Sequence, residues 1–400
     1  MRLTLLTALG AGCAVVVALQ SLTGGSPADT TVRAGLVPGD AVAAAPDADP
    51  GGTTTTIPLA AGRPGVRVVG ASPRILEVPA VRTRPFDLLG VTWDDPRAAL
   101  DGRVRIRVRD RRTGDWSGWR QVTGASDDAP DVGSAERDAP GARGATAPFW
   151  AGPSDGIQVQ AAPGPSGLPA GLRVDLVDPG TGAHSSVEPR VLPAAGPGDA
   201  GRRLAHRAYT ADRPTIVTRA GWNADESLLS GEPEYTGKVK VVFIHHTATG
   251  NDYDCSEADA VVRSIYRYHV KSNGWRDIGY NFLVDKCGTI YEGRAGGVDR
   301  PVMGAHTLGY NSDSAGIAAM GTFSSGEVSE EMLDAIARLA AWKLGIGGRS
   351  PLGTAVMGSR RTTLQAISGH RDALATQCPG DVLYADLDDI RNQAAELQGR

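Results

Sequence analysis

Two histidines and one cysteine, far apart in the sequence, are of the residue types that bind zinc. His245 and His246 directly follow the apolar run at residues 241–244, and a cluster downstream contains His370 and Cys378. Two imidazoles and one thiolate make an open zinc site, in which water takes the fourth position. Such a site supports hydrolysis, because the metal activates water and polarises a carbonyl group.

The run before the histidine pair predicts a buried strand. Residues 241–244 are all apolar, and three of them are β-branched, which is typical of a strand in a core. Neighbouring side chains on a strand point to opposite faces. We therefore expect one of His245 and His246 to face the site and the other to support it. The alternative for the pair is a polar strand end with no metal.

The cysteines offer a test of the zinc interpretation. Of the four, Cys13 lies in an apolar N-terminal run, which leaves Cys255, Cys287 and Cys378 for the mature chain. An odd number in an exported protein indicates one cysteine with another role. A bridge between Cys255 and Cys287 closes a loop of about 30 residues, is worth roughly 3–4 kcal/mol, and leaves Cys378 free for zinc. The alternative, a bridge that includes Cys378, excludes the metal site.

The N-terminus predicts export. One basic residue precedes an apolar run that ends at Leu19, the length of a signal-peptide core and short for a membrane span. We assign residues 1–28 to a signal peptide, with an uncleaved anchor as the alternative, and expect a secreted, extracellular or cell-wall-associated protein without stable membrane insertion. Because Cys13 lies inside the run, lipidation is disfavoured. Lysines and arginines number 41 against 45 acidic residues, so charge gives no case for nucleic-acid binding.

The 400 residues predict two folded units. Residues 29–56 have few large apolar side chains and are interpreted as a disordered tether. Residues 57–192 alternate apolar and polar side chains in short runs, which predicts an all-β, sandwich-like accessory domain containing a long acidic loop at 126–146. In this domain Trp116 and Trp119 are expected in the core, with sugar stacking as the alternative. Residues 193–212 form a linker, and residues 213–400 predict an α/β domain with a mixed sheet flanked by helices.

Motifs in the C-terminal half resemble those of the peptidoglycan recognition protein family, which is similar to the type-2 N-acetylmuramoyl-L-alanine amidases. They are Ile216-Val217-Thr218-Arg219 with Trp222, Ile244-His245-His246-Thr247-Ala248, Ile278-Gly279-Tyr280-Asn281-Phe282, Gly304-Ala305-His306, Gly309-Tyr310-Asn311, and Gly369-His370-Arg371-Asp372 with Thr376 and Cys378-Pro379-Gly380. The match covers about residues 214–400 in the family's order. The N-terminal half looks like the β-rich module of exported actinobacterial-type members.

The resemblance implies a site and a reaction. It implies that His245, His370 and Cys378 are the zinc ligands. It also implies that the protein hydrolyses the amide between the lactyl group of N-acetylmuramic acid and the L-alanine of a peptidoglycan stem peptide. Tyr280 would then donate a hydrogen bond to the developing oxyanion, and Thr376 would hold the water or the same oxygen.

The expected partner is peptidoglycan or a muropeptide. Four further residues are expected to contact it: His306, His246, Asn281 and Arg294. For His306 a structural role is an equal alternative.

Other functions remain open at this point. One is a recognition protein that binds peptidoglycan without cleaving it, although such members usually lack the ligand cysteine. Another is a surface or regulatory protein in which the β-rich domain acts and the C-terminal domain anchors. A third is a cysteine peptidase that uses Cys378 and His370.

Overall fold

The computed structural model describes residues 51–71, 74–125, 127–182, 190–196 and 209–400. All of them belong to one compact unit. The predicted signal peptide and residues 29–50 of the predicted tether lie outside the described residues. In the part of the chain that is described, no helix is both long and apolar enough to cross a membrane.

The N-terminal half is an all-β domain, as the alternating runs predict. Its strands are β1 (Thr53–Pro58), β2 (Arg67–Val69), β3 (Ile75–Trp93), β4 (Gly102–Asp110), β5 (Arg120–Val122), β6 (Gly144–Ala145), β7 (Phe149–Pro163) and β8 (Arg173–Asp178). Hydrogen bonds connect them in the order β1-β8-β3-β7-β4-β5, with β2 and β6 also paired to β3. Every pair is antiparallel. The pairing of β3 with β7 shifts register three times, so these long strands are irregular.

The prediction that Trp116 and Trp119 lie in the core is wrong for both residues. The Trp119 side chain is 36% exposed, and the Arg105 guanidinium lies 4.9 Å from its ring centroid. Trp116 is partly buried and lies beneath Arg107, at 5.3 Å. The arginines alternate outward along β4, and the two indoles pack on them in cation–π contacts instead of entering the core.

Two boundaries differ from the sequence prediction. The first strand begins at Thr53, inside the expected tether, because the threonine run pairs with β8 from Thr53 opposite Asp178 onward. Strand β9 (Val191–Leu192), assigned above to the accessory domain, pairs with β10 (Ile216–Val217) of the C-terminal domain. The predicted linker is described at 193–196 and 209–212 only, and the bridge between Ala195 and Arg213 brings its two ends together.

The C-terminal half has the predicted mixed sheet flanked by helices. The further strands are β11 (Val241–His246), β12 (Phe282–Val284), β13 (Ile290–Glu292), β14 (Ser314–Ala319), β15 (Thr354–Met357), β16 (Thr362–Gln365) and β17 (Ile367–Gly369). The helices are α1 (Ala258–Arg267), α2 (Glu330–Ile346), α3 (Asp381–Ala385) and α4 (Leu387–Leu397). The main sheet has the order β17-β11-β14-β12-β13-β10-β9, and β15 with β16 form a separate hairpin. Strand β11 is parallel to both β14 and β17.

Helices cover both faces of this sheet. Helices α2 and α4 pack against one face, in a core that includes Val242 and Ile244 of β11. The Ser329 hydroxyl accepts a hydrogen bond from Met332 N at 3.3 Å and caps α2. Helix α1 packs against the other face, and a disulfide joins Cys255, at its entry, to Cys287 in the turn between β12 and β13.

Helix α1 also packs against the N-terminal sheet, and so joins the two halves. Val261 and Ile265 of α1 share one core with Leu88 and Val177 of the β-domain. Just beyond the helix, Tyr268 lies against the sheet at Gly90, where a Cβ would overlap its ring. The β-domain is therefore held against the domain that carries the histidines and Cys378.

Candidate metal centre and substrate groove

Two parallel strands deliver the two histidines to one edge of the sheet. Ile244 of β11 pairs with Gly369 of β17, so the next residues, His245 and His370, lie side by side. Their ring centroids are 4.6 Å apart, and both side chains are fully buried. The carboxyl ends of parallel strands are the usual position of a ligand site in an α/β sheet.

Cys378 reaches the same point from the loop after β17. Its Sγ lies 3.6 Å from His245 Nδ1 and accepts a hydrogen bond from the His246 backbone N–H at 3.3 Å. The Thr376 hydroxyl accepts from Cys378 N at 3.3 Å, and Arg371 N donates to Cys378 O at 3.1 Å. One ligand atom from each of His245, His370 and Cys378 lies within 4.8 Å of the others.

A fourth donor comes from the other domain. Asp128, in the long loop between β5 and β6, places Oδ1 at 3.4 Å from His245 Nδ1 and at 3.3 Å from His370 Nδ1. Burial opposes its ionisation, but His370 and His245 outweigh burial and hold the pKa of Asp128 far below its usual range. Sequence reasoning missed this residue, because one aspartate in an acidic loop has no spacing that separates it from its neighbours.

The donor set fits a zinc ion. Burial lowers the pKa of His245 to about 4, so the imidazole is neutral at pH 7, the form that binds metals. Burial also raises the pKa of the Cys378 thiol well above its ordinary value, so a nearby cation is needed to favour the thiolate. Within the described part of the chain Cys378 is the free cysteine, because Cys255 and Cys287 are bonded to each other.

His306 supports a donor and does not line the groove. It is fully buried, and its Nδ1 lies 3.2 Å from His245 Nε2 and 3.0 Å from Thr307 Oγ1. Gly316 makes room for it, since a Cβ there would overlap the imidazole ring. This position fits the structural role that the sequence left as an equal alternative for His306, and its contact with substrate stays a prediction.

Asn281 is also used internally. Its Nδ2 donates to Val302 O at 2.9 Å, and its Oδ1 accepts from Gly316 N at 2.8 Å. Both ends of the amide are occupied and the side chain is buried, so Asn281 joins segments around the sheet. Its contact with substrate stays a prediction.

Arg294 is occupied by the N-terminal domain. Its two terminal nitrogens donate to Glu136 at 3.0 and 2.6 Å, its Nε donates to Ile278 O at 2.9 Å, and Nη1 donates to Met303 O at 3.1 Å. The side chain is buried beneath the long loop. In this arrangement Arg294 is paired with Glu136, and its contact with substrate stays a prediction.

Tyr280, Thr376 and His246 line a cavity of about 280 Å³ beside the donors, together with Asp128. The rings of Tyr280 and His245 are 5.5 Å apart. Burial raises the pKa of Tyr280 well above its ordinary value, so the phenol stays protonated and can donate a hydrogen bond. Burial lowers the pKa of His246 to about 4, and its Nδ1 accepts from Phe323 N at 3.4 Å.

His269, on the turn after α1, is buried and accepts from Gly279 N at 3.1 Å. This hydrogen bond holds the backbone next to Tyr280 in place.

Comparisons with known proteins match each half of the chain to a family model. Residues 235–381 match the family model described as N-acetylmuramoyl-L-alanine amidase, and residues 42–190 match one described as Rv3811 N-terminal galactose-binding domain-like. Peptidoglycan-recognition protein 1 of Holotrichia diomphalia is 33% identical over 175 residues, which cover 44% of this chain and 79% of that protein.

Two further similar proteins also match a little over two fifths of this chain. The human N-acetylmuramoyl-L-alanine amidase is 32% identical over 181 residues, covering 43% of this chain and 27% of that protein. The solved structure of Drosophila PGRP-LB is 30% identical and covers 43% of this chain and 92% of that one, with a TM-score of 0.36.

The fold and the donor set define an α/β protein of the amidase type behind an all-β domain. The chain belongs to the peptidoglycan recognition protein and type-2 amidase family.

Proposed function

We propose that this protein hydrolyses the amide between the lactyl group of N-acetylmuramic acid and the L-alanine of the stem peptide. The observation that carries the proposal is the convergence of His245, His370 and a free Cys378 within 4.8 Å at the sheet edge. These three residues would hold a zinc ion. Zinc, when bound, supplies Lewis acidity, which polarises an amide carbonyl and makes water a stronger nucleophile at neutral pH.

The residues behind the donors orient them. His306 Nδ1, at 3.2 Å from His245 Nε2, leaves Nδ1 of His245 directed at the site and fixes its ring. Loss of a residue that holds a metal-binding histidine in this way typically weakens metal affinity by about 10–100-fold. The His246 N–H donates to the Cys378 sulfur and so favours its thiolate form.

The cavity wall provides the groups that handle substrate. Tyr280 keeps its proton and would donate a hydrogen bond to the carbonyl oxygen as negative charge develops there. Thr376 Oγ1 accepts from Cys378 N, so its own O–H remains able to donate toward the cavity. His246 accepts at Nδ1 from Phe323 N, which places its ring proton on Nε2.

We propose that the protein acts outside the cytoplasm. The disulfide between Cys255 and Cys287 is of the kind that persists in oxidising compartments, and peptidoglycan is an extracytoplasmic polymer. The predicted signal peptide agrees with this location.

Binding without cleavage is the second candidate. It is favoured by the relatives named as recognition proteins, and it differs from the first only in the chemistry at the donors. Peptidoglycan or a muropeptide is the partner in both cases.

The test uses the full chain and a defined muropeptide, with products identified by mass. We expect slow release of free stem peptide and an intact sugar, abolished by a zinc chelator and restored by zinc. Cys378→Ser should abolish release, while Tyr280→Phe should retain zinc and lose most of the rate. A thiol alkylator should leave the zinc-loaded chain active. Binding of muropeptide with no product at saturating zinc, in wild type and also in Asp128→Asn, which removes the fourth donor, would establish the second candidate.

A further inference from the structure

The loop between β5 and β6 packs against the C-terminal domain, and its residues Asp127 and Asp128 line the cavity beside the donors. We call residues 127–143 of this loop the groove segment. Its backbone is bonded to the C-terminal domain at several points: Leu308 N donates to Asp127 O at 3.0 Å, Asn311 Nδ2 donates to Ala129 O at 3.0 Å, and Arg143 N donates to Asn273 O at 3.0 Å.

Side chains of the groove segment add to this docking. Asp131 Oδ1 accepts from Gly309 N at 2.7 Å and from Asn311 Nδ2 at 2.5 Å. Ala129 is buried in a small apolar cluster with Trp275 and Ala305. The segment thus has both polar and apolar partners on the C-terminal domain, and it is more than a surface loop.

Glu136 is the most enclosed charge of the groove segment. Its side chain is 2% exposed and forms a double ion pair with Arg294. A third bond comes from Arg276 N, at 3.0 Å from Oε1. The carboxylate is thereby paired with Arg294, a residue that is expected from the sequence to contact substrate.

The spacing of Asp128 from the two imidazoles is that of ligands on one zinc ion. A tetrahedral zinc ion with ordinary bond lengths separates nitrogen and oxygen ligands by about 3.3 Å, and nitrogen and sulfur ligands by about 3.5 Å. The observed separations are 3.3 and 3.4 Å from Asp128 Oδ1 to the two imidazoles and 3.6 Å from His245 to Cys378.

Unsatisfied polar atoms point to the same place. Asp128 Oδ1 and both ring nitrogens of His370 are buried and have no hydrogen-bond partner among the residues that the structure describes. Buried polar atoms without partners are costly, and a cation between the carboxylate and the imidazole would satisfy Asp128 Oδ1 and His370 Nδ1, which lie 3.3 Å apart.

We propose that Asp128 is a fourth zinc ligand and that the groove segment is a built-in inhibitor, which must leave before peptidoglycan can enter. This inference rests on the proposed function for the identity of the displaced substrate. Four protein ligands close a zinc site, whereas hydrolysis needs an open position. The segment therefore blocks the chemistry at Asp128 and the groove at Glu136, and the chain as described is the latent form.

Zinc affinity tests the ligand directly. The metal-free full chain is titrated with Zn²⁺ in competition with a coloured chelator, as wild type, Asp128→Asn and Asp138→Asn. Asp138 is a matched control, because it lies on the same segment but is exposed and 3.8 Å from Arg97 of the β-domain. We expect Asp128→Asn to bind zinc at least about tenfold more weakly and the control to match wild type. Equal affinity in all three chains overturns the ligand assignment.

Cobalt gives a second measurement that does not depend on affinity. Co²⁺ at the same site reports its ligand set through visible absorption. The spectrum of Asp128→Asn should differ from that of wild type, and the spectrum of Asp138→Asn should not. Three identical spectra would contradict a bond from Asp128.

Binding to insoluble peptidoglycan tests the inhibitor. Without zinc, the double variant Asp128→Asn/Glu136→Gln should sediment with peptidoglycan at least about tenfold more tightly than wild type, because the competing segment is released. Equal binding overturns the inhibitory role. If zinc affinity and peptidoglycan binding both change as expected but no chain cleaves muropeptide at saturating zinc, the proposed hydrolysis fails while the groove segment's role stands.

Discussion

The ion pair between Glu136 and Arg294 should decide how firmly the groove segment is held. The perturbation is Glu136→Gln, which keeps the shape of the side chain and removes its charge. Glu136 accepts three hydrogen bonds, two from Arg294 and one from Arg276 N. Burial opposes its ionisation, but Arg294 outweighs burial and holds the pKa of Glu136 below its ordinary value.

The free-energy cost of this substitution depends on the contacts that Arg294 keeps without the Glu136 charge. Breaking a buried ion pair by removing one partner costs about 3–5 kcal/mol, because the other charge stays buried. Arg294 retains its bonds to Ile278 O and Met303 O, so we expect the lower end, about 3 kcal/mol. Applied to local opening of the groove segment, that free energy raises the open population by about 100-fold.

Hydrogen exchange followed by mass spectrometry measures this opening. Peptides covering residues 127–143 and 305–311 should exchange about 100-fold faster in Glu136→Gln, while peptides from α2 keep their protection. Asp138→Asn is the control and should exchange like wild type. Unchanged exchange in Glu136→Gln would refute the reasoning, because the ion pair would then contribute nothing to docking.

Four other variants have defined outcomes. Tyr280→Phe should lower kcat on a muropeptide by about 10²–10³ with little change in KM, and an unaltered kcat would remove Tyr280 from the reaction. Replacing His306 by alanine should weaken zinc binding by about 10–100-fold in a chelator competition, since His245 loses its partner.

Asp87→Asn should stabilise the chain above pH 6 by up to about 3 kcal/mol in denaturant titrations. Burial, and then Asp178, raise the pKa of Asp87 to about 6 in the folded chain, from an ordinary value of 3.8, so wild-type stability falls as pH rises from about 4 through 6. The double change Cys255→Ser/Cys287→Ser should cost about 3–4 kcal/mol of unfolding free energy, and a stability independent of reducing agent in wild type would contradict that.

Local patterns were enough to predict the C-terminal framework. The apolar run before His245 forms β11 as expected, because β-branched residues between parallel neighbours are buried on both faces. Alternation along that strand separates His245, which lies among the donors, from His246, which lines the cavity. Ser329 caps α2 because its hydroxyl lies where a free backbone N–H needs an acceptor.

The groove segment was not predictable from such patterns. Asp128 and Glu136 meet His245 and Arg294 across more than a hundred residues of sequence, and these contacts depend on how α1 docks the β-domain. His306 and Asn281 show a related limit. Their motifs placed them near the site, but only the fold reveals that His306 Nδ1 contacts His245 and that both ends of the Asn281 amide are bonded to Val302 and Gly316.

The most direct measurement of the central claim is cleavage as a function of bound zinc. The metal-free Asp128→Asn/Glu136→Gln chain, in which both contacts of the groove segment at the site are weakened, is given increasing zinc and a defined muropeptide, and released stem peptide is quantified by mass. We predict that the rate rises in proportion to zinc, levels off at about one ion per chain, and stays at background when Cys378→Ser is added. A rate that is independent of zinc, or equal with and without the Cys378 thiol, would contradict the assignment of this site as a zinc amidase.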